Sequence, residues 1–494
     1  MFHQLRRLHF LLLCFGTVGT SADATGMALP EFLQAVQERN VIFKSFASSK
    51  EASTARREQG DLSLSPLFRA GIRRLDDRKP TIMGPFVMDK TAGTEYSMGL
   101  ARKFASGTNV DFSASASDIG PFVPATPQSA AAAPYAFTGL SLGLSQSLWK
   151  DFFGLETRYR REREALVERG EYEAADLQAR STLREAELAF WDAIYIREEL
   201  EQREASIARA KKIETWVKRR YSNGIGDRAD VLNAEGLVAR RELELLDTIN
   251  TLKSSEIKIR SLLQTAPEEK APELTGKLDE QRPLPALVGG GGTGHGSVGG
   301  EAATGKIVSL EAYLSVLEAK AKAVGAREAE DSMEPDLTFE ARYGTNGVDP
   351  QWSPAWAKIA DTSIPTTSVG LRLSLLLDGP MKESVRRMAR MEALASSQKK
   401  ERKLIDSEAQ WKDLLRTHEE LSRRVEAAGR LAKVQVAKAE AERDKLSKGR
   451  SITLQVIQAE QDAAESELVV ARMQVEHRKL EANARLYVER EEGL

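Results

Sequence analysis

The sequence is nearly free of cysteine, which removes several kinds of chemistry at once. The only cysteine among 494 residues, Cys14, lies in the apolar run at 10–15. Arg6 and Arg7 precede this run and small residues follow it, which is the layout of a cleavable secretory signal over residues 1–24. We expect the mature chain to begin near Thr25, with lipidation at Cys14 as the alternative. If the signal is removed, the mature chain has no thiol, which excludes disulfides, thiolate metal sites and cysteine nucleophiles.

Aromatic residues are also scarce, at 6% of the chain, whereas charged residues reach 29%. This composition offers little material for large globular cores and favours long, solvated helices. After the signal, no run approaches the roughly 20 apolar residues that a membrane-spanning helix needs, so any membrane insertion has to use β-strands. Lysine plus arginine (71) nearly balance aspartate plus glutamate (73), and no nucleic acid partner is predicted.

Two long stretches, 135–266 and 381–494, lack proline. They are dense in helix-forming residues and predict helices at about 155–222, 227–265, 381–447 and 451–490. At about 1.5 Å per residue, the first of these would be roughly 100 Å long. Seven-residue spacing of small and apolar residues predicts left-handed helix pairing along two seams: Ala186, Ala189, Ala193, Ile196, Leu200, Ile207, Ala210 and Val217, and Val456, Ala459, Ala463, Val470, Met473, Leu480 and Tyr487.

Segments in which apolar and polar residues alternate strictly predict strands. They fall within about 62–148 in the first half, and at about 336–345 and 366–377 in the second. Each is close to the ten residues that a tilted strand needs to cross a bilayer, although a half-buried soluble sheet would alternate in the same way. Two more candidate strands, 62–72 and 96–104, precede these, and the sequence leaves open whether they cross the membrane.

The chain also carries an internal duplication. Residues 266–307 are rich in Pro and Gly and predict a flexible linker between a first repeat, 25–265, and a second, 308–494. Gly224 and the segment 230–235 recur as Gly449 and 455–460 at a constant offset of 225 (449 − 224). Each half is predicted to run helix, strand pair, long helix, glycine turn, helix.

These motifs resemble those of the TolC-like outer-membrane efflux proteins, the outer membrane factor family. The resemblance covers nearly all of the mature chain and is carried by Gly-Leu-Ser-Gln-Ser-Leu-Trp at 143–149, by Arg220-Tyr221-x-x-Gly224 and by Asp-Val-Leu-x-Ala-Glu at 230–235. It implies an α+β membrane protein, in which a homotrimer shares one transmembrane β-barrel that continues into a long periplasmic α-helical coiled-coil barrel. Four strands per protomer are typical of that family, so six candidates imply either an elaboration or two segments predicted in excess.

The function implied by this resemblance is that of a passive conduit. Substrates would pass from a periplasmic adaptor and an inner-membrane transporter to the exterior, in efflux or type I secretion. The protein would sit in outer-membrane lipid and extend into the periplasm. A structural or scaffolding coiled-coil protein of the envelope is the alternative class.

The two helix-turn-helix tips are the predicted functional sites. The resemblance assigns adaptor contact to the residues around the two glycines: Arg220, Tyr221, Gly224, Lys445, Leu446, Gly449 and Arg450. It assigns gating of the entrance to Asp230, Gln455 and Gln458. Asp227 and Ser451 are placed to cap the returning helices, and we expect Lys445 or Arg450 to pair with Asp230.

No enzymatic chemistry and no cofactor are predicted. The segment 294–299 matches GxGxxG, and 300–306 matches a phosphate-binding loop until Ile307 replaces the Ser or Thr that holds Mg²⁺. Both lie in the linker. The histidines are scattered without a metal-ligand spacing, so no metal site is predicted, and His418 and His477 are expected on helix surfaces.

Overall fold

The computed structural model describes residues 26–77, 81–83, 86–88, 91–120, 135–266, 269–278 and 306–490. The predicted signal at 1–24 and the two glycine-rich patterns at 294–306 lie outside these residues, apart from Lys306. The chain forms two compact units. The helical unit comprises Met1–Asn40, Leu183–Arg282 and His418–Ala482, and the sheet unit comprises Val41–Thr182, Pro283–Thr417 and Asn483–Leu494. Each unit takes segments from both halves of the sequence, so the units do not follow the halves 25–265 and 308–494.

The sheet unit is built on one six-stranded antiparallel sheet. Its strands, in chain order, are β2 (Leu67–Asp77), β5 (Thr91–Lys103), β6 (Thr108–Gly120), β7 (Tyr135–Ser147), β10 (Asp336–Asp349) and β11 (Pro365–Ser374). Their spatial order is β11-β10-β7-β6-β5-β2. All six predicted segments are therefore strands, including the two whose role was left open. The first begins later than predicted, because Asp61–Leu64 forms a 3-10 turn.

The sheet joins the two halves of the sequence through the pairing of β7 with β10. Thr338 lies opposite Ser147 at one end of this ladder, and Asp349 lies opposite Ala136 at the other. The remaining strands are short: β1 (Met27–Ala28), β3 (Thr81–Met83), β4 (Phe86–Met88), β8 (Leu274–Thr275), β9 (Lys306–Ser309) and β12 (Tyr487–Arg490).

Helices of the sheet unit are linked by ion pairs and by an apolar cluster around Leu310, Tyr313 and Leu317. They are α2 (Val41–Gly60), the first part of α3 (Leu155–Ser222), α5 (Leu310–Ser332), α6 (Trp352–Ala360) and the first part of α7 (Gly379–Ser447). Three of the cations that join α5 to α7 lie 2.5–2.7 Å from carboxylate oxygens, in the pairs Lys322–Glu392, Arg390–Glu330 and Lys403–Glu311. Such exposed pairs each contribute little to stability.

The helical unit contains α1 (Leu29–Arg39), the rest of α3 and α7, α4 (Arg228–Leu263) and α8 (Thr453–Asn483). The helix predicted to reach residue 490 ends at Asn483, because β12 pairs with β9 instead. Part of the predicted linker is also ordered, since β8 pairs in parallel with β1 and Leu274 is buried. No helix within the described residues combines the length and the apolar character that crossing a membrane requires.

The predicted helix seams account for part of the packing. Ala186, Ala189, Val456, Ala459 and Ala463 are buried as expected. Farther along α8, however, the predicted positions Val470, Met473 and Leu480 are only half-buried. The buried residues there follow another stripe: Leu468, Ala471, Val475, Arg478 and Ala482. The reason is that α8 contacts both α3, through Lys479 and Asp192, and α7, through His477 and Ser422, so more than one face is covered.

Candidate functional site

One face of the sheet is apolar and exposed. Leu100 lies opposite Phe112, Phe112 opposite Leu142, and Leu142 opposite Tyr343. Directly paired residues share a face of the sheet, so this row crosses four strands on one side. All four side chains are about half exposed, and the edge strands continue the face with more exposed residues: Phe68, Ile72, Val369, Leu371 and Leu373. An apolar surface this extensive needs apolar surroundings or a partner.

The opposite face of the same sheet is polar. Arg342 lies 3.3 Å from Asp111, and Arg372 lies 2.9 Å from Glu340. The hydroxyls of Ser113 and Ser141 are 2.7 Å apart on adjacent strands. The alternation in the sequence thus corresponds to a sheet with one apolar and one charged side.

The junction between the sheet and α3 is closely fitted. Asp151 has a left-handed backbone, with φ of 53°, and its carboxylate accepts hydrogen bonds from Lys103 at 2.8 Å and from the Thr157 backbone at 3.1 Å. A Cβ atom on Gly154 would lie 1.8 Å from the backbone oxygen of Ala105. The turn between β5 and β6 is therefore fastened to the start of α3.

Opposing effects act on the pKa of the Asp151 carboxyl. Burial alone would raise this pKa. The hydrogen bond and positive charge of Lys103 lower it, as do two hydrogen bonds from Thr157, and together they leave the pKa below its ordinary value. Asp151 is therefore held in its ionised form, opposite Lys103.

Both helical tips end in the same capping geometry. At the first, the backbone N–H of Ile225 donates to Arg220 (3.0 Å) and that of Gly224 to Tyr221 (3.0 Å). At the second, Arg450 donates to Lys445 (2.8 Å) and Gly449 to Leu446 (2.9 Å). This pair of bonds is the Schellman motif, which requires a left-handed residue at the glycine. Gly224 and Gly449 accordingly have φ of 75° and 70°.

The two tips share an apolar cluster. It contains residues of α3, α4, α7 and α8: Ala210, Ile213, Val217, Ala234, Leu237, Val238, Leu446, Val456 and Ile457. The buried carboxylate of Glu460 lies beside this cluster and forms ion pairs with Nε of Arg209 at 3.1 Å and Nε of Arg443 at 2.8 Å. The two hairpins are thus held together near their ends by both apolar and ionic contacts.

Comparison with known proteins shows likeness in structure alone. No protein-family model and no curated protein sequence matches the chain. The outer membrane protein VceC from Vibrio cholerae superimposes with a TM-score of 0.63 at 13% identity, over 93% of this chain and 94% of VceC. For the outer-membrane channel OprN the TM-score is 0.64 at 15% identity, over 92% and 89%. For the open state of the Neisseria gonorrhoeae MtrE outer membrane channel it is 0.62 at 12% identity, over 92% and 88%.

The chain has the fold of the TolC-like outer-membrane channels. On this TolC-like fold, the residues predicted for adaptor contact divide into two groups. Arg220, Tyr221, Gly224, Lys445, Gly449 and Arg450 lie at the surface of the tips or partly exposed beside them. Leu446 is only 4% exposed and packs in the tip cluster. It cannot present its side chain to a partner, because the pairing of the two hairpins covers it.

The predicted helix caps have different outcomes. The Asp227 side chain accepts a hydrogen bond from the backbone N–H of Ala229 at 3.2 Å, so it caps α4 as predicted. Ser451 does not begin the returning helix, which starts at Thr453. Ile452 therefore occupies the cap position, and the Ser451 hydroxyl donates to Glu442 at 2.7 Å.

The ion pair expected at Asp230 is not formed within the described residues. Lys445 lies 2.7 Å from Glu442 on its own helix, and neither Lys445 nor Arg450 pairs with Asp230. Of the other two entrance residues, Gln458 donates to Asp462 at 2.9 Å, and the side-chain oxygen of Gln455 lies 3.3 Å from the Ser451 hydroxyl.

A polar cluster in the helical unit was not predicted from the sequence. His477 is buried, not on the surface, and its ring lies 4.3 Å from that of half-buried His418. Burial, the nearby His418 and Arg478 lower the pKa of His477 to about 4. Heptad spacing along α8 does not mark this position as buried, because the neighbouring seam residues Val470, Met473 and Leu480 are only half-buried.

Proposed function

We propose that the protein is one protomer of a homotrimeric outer-membrane channel, a passive conduit and not an enzyme. It would receive substrates from a periplasmic adaptor and an inner-membrane transporter and release them outside the cell. The observation that supports this most strongly is the sheet with one bare apolar face, within a fold that matches solved outer-membrane channels over more than nine-tenths of the chain.

The sheet's apolar face would lie against outer-membrane lipid, and its polar face would line the lumen. In lipid, the outer edges of β2 and β11 would leave backbone groups unpaired. Pairing of β2 in one protomer with β11 in the next removes that cost and closes a barrel. Three copies of a six-stranded sheet supply eighteen strands, which is the size at which barrels enclose an aqueous channel.

The helical tips would form the periplasmic end of this conduit. Tyr221 is 47% exposed beside the cation Arg220, while Lys445 and Arg450 surround the second tip. We assign adaptor contact to these four residues, with Gly224 and Gly449 setting the turns. Leu446 is left out of the surface because it is buried. Asp230, Gln455 and Gln458 are assigned to the entrance, where they would face the corresponding residues of neighbouring protomers.

Assembly and conductance test this proposal together. The mature protein, extracted from outer membranes in detergent, should migrate as a trimer and open pores in planar lipid bilayers. Asp230→Ala should change the closed-state conductance, with Asp361→Ala in the sheet unit as the matched control. A protein that is extracted without detergent and remains a non-conducting monomer would support the scaffold alternative instead.

Adaptor contact has its own test. Tyr221→Ala should reduce recovery of the periplasmic adaptor that co-purifies with the unaltered protein in a pull-down, while conductance of the isolated trimer stays unchanged. Tyr172→Ala is a suitable control, because Tyr172 is similarly exposed but belongs to the sheet unit. Equal recovery with both variants would contradict the tip assignment.

A further inference from the structure

Two pairs of polar residues face each other across α7 and α8 in the helical unit. On α7, His418 and Ser422 are four residues apart, and on α8, His477 and Glu481 are four residues apart. Residues at this spacing lie on one face of a helix. The four side chains therefore meet in one place, and those of His477 and Glu481 are only 8% and 3% exposed.

Three ligand atoms converge in this cluster. Nδ1 of His477 lies 3.5 Å from Oε1 of Glu481, and Nε2 of His418 lies 3.8 Å from the same oxygen. All three atoms are within 4.8 Å of one another. Ligands at about 2.05 Å from a tetrahedral Zn²⁺ are separated by about 3.3 Å, so small side-chain rotations would bring these atoms to coordinating positions.

Neighbouring groups orient two of the three ligands. The Ser422 hydroxyl lies 3.1 Å from Nε2 of His477, which leaves Nδ1 of that ring facing Glu481. Arg478 donates to Oε2 of Glu481 at 2.8 Å, and its guanidinium stacks over Trp191 at 5.3 Å. Oε1 is thereby turned towards the imidazoles. Contacts of this kind fix the orientation of metal ligands in known sites.

A purely structural polar network explains less of this geometry. Nε2 of His418 is buried and has no hydrogen-bond partner among the described residues, which a network selected only for stability would normally supply. The positive charge of Arg478 opposes a second cation and should weaken binding. We propose that His418, His477 and Glu481 form a binding site for a divalent transition-metal ion such as Zn²⁺, which would link α7 to α8.

Titration with zinc chloride tests the site directly. The purified protein in detergent, stripped with a chelator, should bind one Zn²⁺ per chain by calorimetry, and excess Mg²⁺ should not compete. Co²⁺ in the same place should give the visible absorption bands of a tetrahedral ion. Failure to bind either ion would overturn the proposal while leaving the channel function untouched.

Substitutions locate the binding. His418→Gln and His477→Gln should each weaken Zn²⁺ affinity by at least about tenfold, and Ser422→Ala, which removes only the orienting hydroxyl, by about tenfold. His295→Gln is the matched control and should leave affinity unchanged. Circular dichroism of each variant shows whether the helices are retained. Undiminished affinity in both cluster histidine variants, or loss of affinity in His295→Gln, would place the binding elsewhere.

Discussion

The carboxylate of Glu460 lies 2.8 Å from Nε of Arg443, and the Glu460 side chain is only 7% exposed. An equivalent contact occurs 225 residues earlier, where Lys218 lies 3.0 Å from Glu235 (443 − 218 and 460 − 235). That earlier carboxylate is 44% exposed. Equivalent positions at the two tips therefore hold the same type of ion pair in very different surroundings.

Glu460→Gln should destabilise the tips more than Glu235→Gln. Neutralising Glu460 leaves Arg209 and Arg443 without their shared counter-charge, for which we expect a loss of about 2 kcal/mol. The exposed pair at Glu235 should contribute less than about 1 kcal/mol. Thermal unfolding of the two variants in the same detergent measures the difference, and equal melting temperatures would contradict it.

Substitution of either tip glycine by alanine should destabilise the protein, whereas the same substitution at a glycine within a helix should stabilise it. Gly224→Ala and Gly449→Ala place a side chain in the left-handed region, at a cost of about 1–2 kcal/mol each. Open space surrounds both positions, so the cost comes from the backbone alone. Gly236 also faces open space but lies within α4, and Gly236→Ala should stabilise by up to about 1 kcal/mol. Melting temperatures that shift in the same direction would refute this explanation.

Lys103→Met should weaken the junction between the sheet and α3. The substitution removes one hydrogen bond and the cation from the Asp151 carboxylate, which retains its bonds from Thr157. Because Lys103 is partly exposed, we expect a loss of about 1.5 kcal/mol, measured by thermal unfolding. Arg102→Met, at the exposed neighbouring position, should have little effect. Similar losses in both variants would argue against a specific role for the ion pair.

The same pair predicts a pH dependence. The pKa of Asp151 is lower in the folded than in the unfolded chain, so its ionised form stabilises the fold above the unfolded pKa of about 3.9, and this contribution is lost as the pH falls through the folded pKa. The difference in melting temperature between wild type and Lys103→Met should be largest at pH 7 and should decrease below about pH 4. A difference independent of pH would contradict this.

Local patterns in the sequence were sufficient to predict the strands and the long helices. Alternation along each segment determines which side chains share a face, and the glycine at each tip marks the required backbone turn. The pairing of β7 with β10 could not be predicted in the same way, because it joins residues about 200 positions apart. That Leu446 and His477 are buried depends on a third and a fourth helix covering α7 and α8, which heptad spacing within one helix does not specify.

In the proposed channel, the apolar face of the sheet contacts lipid while the polar face contacts water. If the signal is removed as predicted, the mature chain has no cysteine, so single cysteines can be introduced at Leu142 and at its neighbour Ser141 and exposed to a water-soluble maleimide in intact outer membranes. We predict rapid labelling of Ser141→Cys and protection of Leu142→Cys, with both labelled after denaturation. Equal labelling of the two positions in the membrane would contradict lipid contact at the apolar face.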